Sequence, residues 1–171
     1  FKNKVKPLLK KNKPTLLLVI DNLRMDQWKT IEPLLTDFYQ KEKEETYYSI
    51  LPTATQYARN ALFSGCTPLK ISELYPQWWK NDIDEGGKNL FEKDLLQAQL
   101  KLLYIDGKMS YHKIKNLKNG ELLAKSLSNH KDEKLTAVVY NFVDMISHAK
   151  SEMEIIKELA SDNKAYRSLT A

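Results

Sequence analysis

Apolar residues along the chain follow two periods. Residues 16–20 (LLLVI) form a continuous apolar run, opened by Pro14 and Thr15 and closed by Asp21 and Asn22. A short run bounded by turn residues predicts a strand buried on both faces. Residues 135–143 (LTAVVYNFV) repeat this pattern and also run into an acid, Asp144. Residues 46–51 (TYYSIL) are β-branched and aromatic, and residues 109–114 (MSYHKI) form another candidate, so both predict strands. Between these runs the spacing turns helical. Trp28, Ile31, Leu34, Leu35 and Phe38 mark a helix from Asp26, with Pro33 placed to kink it. Tyr57, Ala58, Ala61 and Leu62 predict a helix that stops near Gly65. Leu90, Leu95, Leu96, Leu100 and Leu103 predict another over 88–104. Shorter helices are expected over 3–11, within 117–127 and over 151–159. Residues 40–45 read as a charged connector and residues 66–87 as irregular. Strands alternating with helices predict an α/β fold, a mostly parallel sheet flanked by helices on both faces, in a single domain over 1–171.

Composition narrows the class. Of 171 residues, 42% are hydrophobic and 29% charged, which fits a globular chain rather than a disordered one. No apolar run approaches the roughly 18–20 residues of a membrane span, and no secretory h-region is visible. One cysteine, Cys66, excludes an internal disulfide and leans towards a reducing, cytoplasmic setting. The net charge is +5, and much of the excess lies in Lys2, Lys4, Lys6, Lys10, Lys11 and Lys13. Such a run reads as a solvated arm, because no zinc-finger, RNP-type or helix-turn-helix signature accompanies it. The chain starts with Phe1 in mid-pattern, so the expectation is a piece of something longer.

Candidate chemistry gathers at strand ends, where α/β sheets bind ligands. Asp21 reads either as a cap on the following turn or as a metal ligand or base. Asp144 has a companion in His148: D-x-x-x-H on a helical turn puts carboxylate and imidazole on one face, a donor pair suited to Zn²⁺ or Mn²⁺. The third element is Pro52-Thr53-Ala54-Thr55-Gln56-Tyr57-Ala58-Arg59-Asn60. Thr55 stands where a strand would turn into a helix, a place that holds phosphate, and Arg59 follows at i+4. A threonine hydroxyl is a poor nucleophile at neutral pH unless a metal lowers its pKa. The competing reading makes Thr53 or Thr55 an N-cap and Arg59 a surface charge. His112 and His130 read as structural or solvated. Lys88 reads as part of a tight turn, with a phosphate contact as the alternative, and Trp78 and Trp79 as cover for the core. Ser64-Gly65-Cys66 has no recognisable base. Neither G-x-x-x-x-G-K-[ST] nor G-x-G-x-x-G occurs. A haloacid-dehalogenase nucleophile would need an acid at position 23, where Leu23 stands.

Taken together, Asp21, P-T-x-T-x-x-x-R-N-A and N-F-V-D-M-I-S-H resemble the alkaline phosphatase superfamily, and more narrowly its PglZ-domain branch. The strings VIDNLRMDQW, ILPTATQYARNALFSG, DEGGKN, SYHKI and YNFVDMISHA resemble the PglZ-type effector domain of PorX-like response regulators, which are associated with type IX secretion. The resemblance implies an alkaline phosphatase-like fold, incomplete in this chain. It implies a zinc-dependent phosphodiesterase or phosphatase with two Zn²⁺ ions and a covalent phosphothreonine. Thr55 matches the nucleophile and is itself a metal ligand, with Thr53 the alternative if the register shifts. Asp21 matches the acid of the nucleophile's metal, and Asp144 and His148 match ligands of the second. Arg59 matches a sulfatase-like arginine. The implied partners are a phosphodiester substrate of nucleotide or oligonucleotide type, a receiver domain and sensor kinase in the parent, and a second copy in a homodimer. The family's later Asp-His-Gly and further histidine do not occur before Ala171, so the expectation for this chain is weak zinc binding and little turnover. The alternative is a non-catalytic output module that binds partner proteins. Sulfatase chemistry is disfavoured, because Cys66 is not in C-x-P-x-R.

Overall fold

The computed structural model describes residues 1–11, 13–80, 83, 87–141 and 143–146. Their elements are α1 (Val5–Leu9), β1 (Thr15–Ile20), α2 (Met25–Leu35), α3 (Thr55–Ser64), α4 (Pro68–Leu74), α5 (Glu92–Leu102), β2 (Met109–Ile114), α6 (Leu117–Ser126) and β3 (Leu135–Tyr140). The strands form one sheet in the order β1-β3-β2. Thr15 N–H bonds Lys134 O and Asp21 N–H bonds Tyr140 O, while Lys134 N–H bonds Lys108 O and Asn141 N–H bonds Ile114 O. In both pairs the residue numbers rise together, so the strands are parallel, with helices around them. The expected α/β class holds.

Burial tracks position in the sheet. β3 is central, and Leu135, Ala137, Val138 and Val139 are all buried. β1 departs from its expected double burial: Leu16 and Leu18 are 49% and 51% exposed. The reason is topological, since β1 is an edge strand among the described residues and only alternate side chains gain cover. Residues 46–51 depart further. They form no strand; Tyr47, Tyr48 and Leu51 are exposed. Strand propensity is a preference for a pleated, half-covered surface, and no described strand pairs with this stretch to supply one. The final strand stops at Tyr140 rather than 143, and a separate helical turn takes up 143–146. The helix expected over 88–104 starts only at Glu92.

Within 66–87, expected to be irregular, the chain forms α4 and a 3₁₀ turn at Pro76–Trp78. Thr67 Oγ1 caps α4 by accepting from Lys70 N–H at 3.5 Å, with Pro68 at the first helical position, a start signal that the two prolines concealed. Pro33 does not end α2, which continues to Leu35. The expected helix over 151–159 lies outside the described residues. Two compact units make up the chain: Phe1–Leu17, Tyr47–Tyr111 and Asp132–Thr136 form one, and Leu18–Thr46, His112–Lys131 and the described part of Ala137–Ala171 form the other.

In the first unit α3 packs on α5. Phe63, Leu95 and Leu96 are fully buried there, and Phe63 meets Tyr111 edge-on at 5.7 Å. Gly65 ends α3 in the left-handed conformation, φ 69°, which glycine adopts without steric cost. The carbonyls just before it are completed from α5: Gln99 Nε2 donates to Leu62 O at 3.0 Å and Phe63 O at 2.7 Å. Leu9 of α1 is buried, so the basic arm is anchored at its end.

Candidate active site

Asp21 directly follows β1, and its N–H extends the ladder to Tyr140 O at 3.1 Å. Asn22 then turns left-handed, φ 59°, a conformation asparagine tolerates better than most residues. Asp144 lies in the turn after β3. Val143 is buried against Ile20, Leu23, Tyr140 and Ile146, so the residues flanking both acids share one apolar cluster. Since β1 and β3 are parallel neighbours, their carboxyl ends bring Asp21 and Asp144 to one edge of the sheet. Both acids are half-buried and both take part in polar contacts. Carboxylates at strand ends suit divalent cations, and each can supply one of zinc's usual four positions. His148 lies outside the described residues. Among the described ones, no three His, Cys, Asp or Glu are grouped for a metal.

Thr55 and Arg59 belong to the other unit. Ala54, in an extended conformation, is the residue before the helix, and Thr55 is the first residue of α3. Neither threonine of the motif is therefore the N-cap residue, and the helix start has no side-chain cap. The Tyr57 and Ala58 N–H groups both turn back to Ala54 O at 2.9 Å, and the positive end of the α3 dipole lies at Thr55.

Arg59 is not a surface charge. It is 5% exposed and Glu92 is 0% exposed. Arg59 Nε and Nη2 donate to Glu92 Oε1 and Oε2 at 2.6 and 3.0 Å, a two-pronged pair. Tyr111 Oη donates to Glu92 Oε2 at 2.7 Å. Burial first, and then the Glu92 carboxylate, push the Tyr111 hydroxyl well above its ordinary value of 10.0, so it stays a donor. Asn89 Nδ2 donates to Glu92 Oε1 and Asn60 Oδ1, both at 3.2 Å, and approaches Thr55 O at 3.5 Å. Asn60 Nδ2 donates to Gln56 O at 2.9 Å and Lys88 O at 2.8 Å. Lys88 is 8% exposed; its ammonium donates to Lys80 O at 2.9 Å and sits 4.5 Å from the Trp79 ring centre.

Residues 1–171 match the family described as the BREX system PglZ alkaline phosphatase-like domain. The chain belongs to the PglZ family. No curated protein matches it. As an alkaline phosphatase-like domain, this PglZ chain points to hydrolase chemistry on a phosphoester, in a superfamily that generally uses metal ions. No described helix is long and apolar enough to cross a membrane.

Sequence reasoning missed Glu92 in the PglZ chain, along with Asn89 and Tyr111. A signal existed. Glu92, Leu95, Leu96, Gln99 and Leu100 recur at i, i+3, i+4, i+7 and i+8, so an acid and an amide occupy the stripe of α5 that is otherwise leucine. A charge in an apolar stripe asks for a buried partner. His112 and His130 meet edge-on at 5.1 Å, a pairing that spacing along the chain does not reveal.

Proposed function

We propose that this PglZ chain carries the nucleophile and part of the metal site of a phosphodiesterase or phosphatase, with Thr55 as the nucleophile. The observation that carries the reading is Thr55 at the first position of α3, on a helix start without a side-chain cap, in an alkaline phosphatase-like domain. Thr55 Oγ1 attacks phosphorus; an Oγ1–P bond forms and the bond to the leaving oxygen breaks. Water then cleaves the Oγ1–P bond. The positive end of the α3 dipole favours an anionic phosphoryl oxygen beside Thr55. By resemblance to the family, Asp21 and Thr55 would be ligands of one metal, and Asp144 and His148 of the second. The chemistry that two bound zinc ions supply is charge neutralisation and a lowered pKa at the nucleophile's hydroxyl. The burial of Arg59 against Glu92 favours a role in placing Thr55 over direct contact with substrate.

The substrate class we propose is a phosphodiester, of nucleotide or oligonucleotide type. The setting we propose is a cytoplasmic, homodimeric output domain under a receiver domain and a sensor kinase, linked to type IX secretion. The family description offers a BREX system as the other setting, and a receiver domain on the full-length protein separates the two. Thr55→Ala in the full-length protein, assayed on bis(p-nitrophenyl) phosphate with zinc titrated in, tests the chemistry. The expected result is loss of turnover and of a phosphothreonine trapped at low pH. Unchanged turnover sinks the reading. The interaction-module alternative draws on Tyr47 and Tyr48, exposed beside a cavity of about 320 Å³ that Ala58, Leu62 and Cys66 also line.

A further inference from the structure

The first turn of α3 has no side-chain cap at its start. A buried polar cluster reaches the carbonyls of that turn. Glu92, on α5, sits at the centre and is held by Arg59, Tyr111 and Asn89. Two routes run from this carboxylate to the turn. One is Arg59, which lies four residues after Thr55 and so on the same face of α3, one turn on. The other is Asn89, whose amide bonds Glu92 and Asn60 and approaches Thr55 O at 3.5 Å. Asn60 continues this second route by donating to Gln56 O at 2.9 Å, the next carbonyl of the same turn.

A buried ion pair is a costly way to fill a core, since apolar residues of equal volume are often as stable or more so. What the pair adds over leucine is direction: a two-pronged bond fixes rotation about the helix axis, and an apolar contact does not. We propose that Glu92 is a positioning residue for Thr55: through Arg59 and Asn89 it sets the direction in which the first turn of α3 presents the threonine hydroxyl. The inference rests on the reading of Thr55 as nucleophile. Reaction rates respond steeply to such placement, since a misplacement of about 1 Å costs on the order of a hundredfold.

The decisive experiment replaces the pair by apolar residues, Arg59→Met with Glu92→Leu, in the full-length protein. Melting temperature, kcat and KM on bis(p-nitrophenyl) phosphate, and hydrogen–deuterium exchange of the peptide spanning 55–60 are measured together. Positioning predicts a melting temperature lowered by no more than the loss of the Tyr111 hydrogen bond to Glu92 explains, with Tyr111→Phe as the reference, kcat lower than in that reference by about tenfold or more, KM within about twofold, and faster exchange at 55–60 but not at 135–140. A wild-type kcat in the folded double variant overturns the proposal and leaves Glu92 a core ion pair. Should the double variant fail to fold, Asn89→Ala, which cuts only the second route and leaves Arg59 in place, gives the same split: lower kcat with unchanged KM supports the proposal and unchanged kcat overturns it. Thr55→Ala runs alongside. If it keeps turnover, the nucleophile reading falls and positioning falls with it; if it abolishes turnover while the double variant keeps it, only positioning falls.

Discussion

Two charge clusters in this chain use the same chemistry in opposite surroundings. On α2 and the connector after it, Lys29 and Lys41 bridge Glu32 and Glu44 at 2.5 to 3.3 Å, with every member reaching solvent. Under α3, Arg59 meets Glu92 at 2.6 Å with almost no exposure. The distances are alike, but the energetics are not. Exposed pairs are screened and hold two long side chains in place for little gain. The buried pair has given up its hydration, so each partner depends on the other. Proximity between opposite charges therefore says little about stability until the solvent is counted.

The sharpest way to break the comparison is Glu92→Ala, which strands the Arg59 guanidinium and should lower unfolding stability by about 3–5 kcal/mol in denaturant titration. Arg59→Met together with Glu92→Leu should recover the part of that loss due to the stranded charge, leaving the cost of the Tyr111 hydroxyl without its acceptor. A single Tyr111→Phe removes one hydrogen bond to a charged acceptor and should cost about 1.5–3 kcal/mol. The raised Tyr111 pKa sets a sign as well. A proton held more tightly in the folded state gives stability that is whole below the ordinary value of 10.0 and fades as pH rises above it. Wild type should thus lose stability above pH 10 more steeply than Tyr111→Phe.

The exposed cluster should respond least. Lys41→Met should leave the unfolding midpoint nearly unchanged, and 0.5 M salt, about a Debye length of 4 Å, should erase the remainder. Its acid limb runs the other way. Hydrogen bonds from Lys41 to Glu32 and from Lys29 to Glu44 hold both carboxyls below the ordinary 4.5. Their contribution is whole above that value and fades as pH falls through the lowered pKa values. A Lys41→Met midpoint well below wild type at pH 7 would remove the contrast between the two clusters.

The parts of the fold set by local pattern could be read from the sequence. The runs at 15–20, 109–114 and 135–140 are strands, and Gly65 ends α3 as its left-handed turn requires. What escaped depends on partners remote in sequence. TYYSIL has strand composition but no described neighbour to pair with, and LLLVI met an edge instead of a centre. For the site, the strand-end position of Asp21 and the helix-start position of Thr55 were legible from spacing. The buried state of Arg59 was not, because Glu92 lies 33 residues on and Tyr111 lies 19 beyond that.

Gln99 has a consequence for the order in which a ribosome delivers the chain. A ten-residue helix is marginal in water by itself. The last carbonyls of α3 at Leu62 and Phe63 wait for an amide 37 and 36 residues downstream. While residues 65–98 are being synthesised, the carboxyl end of α3 is not completed. It can settle only when α5 emerges and the intervening loop closes, so the helix that bears Thr55 is finished late, as half of a pair.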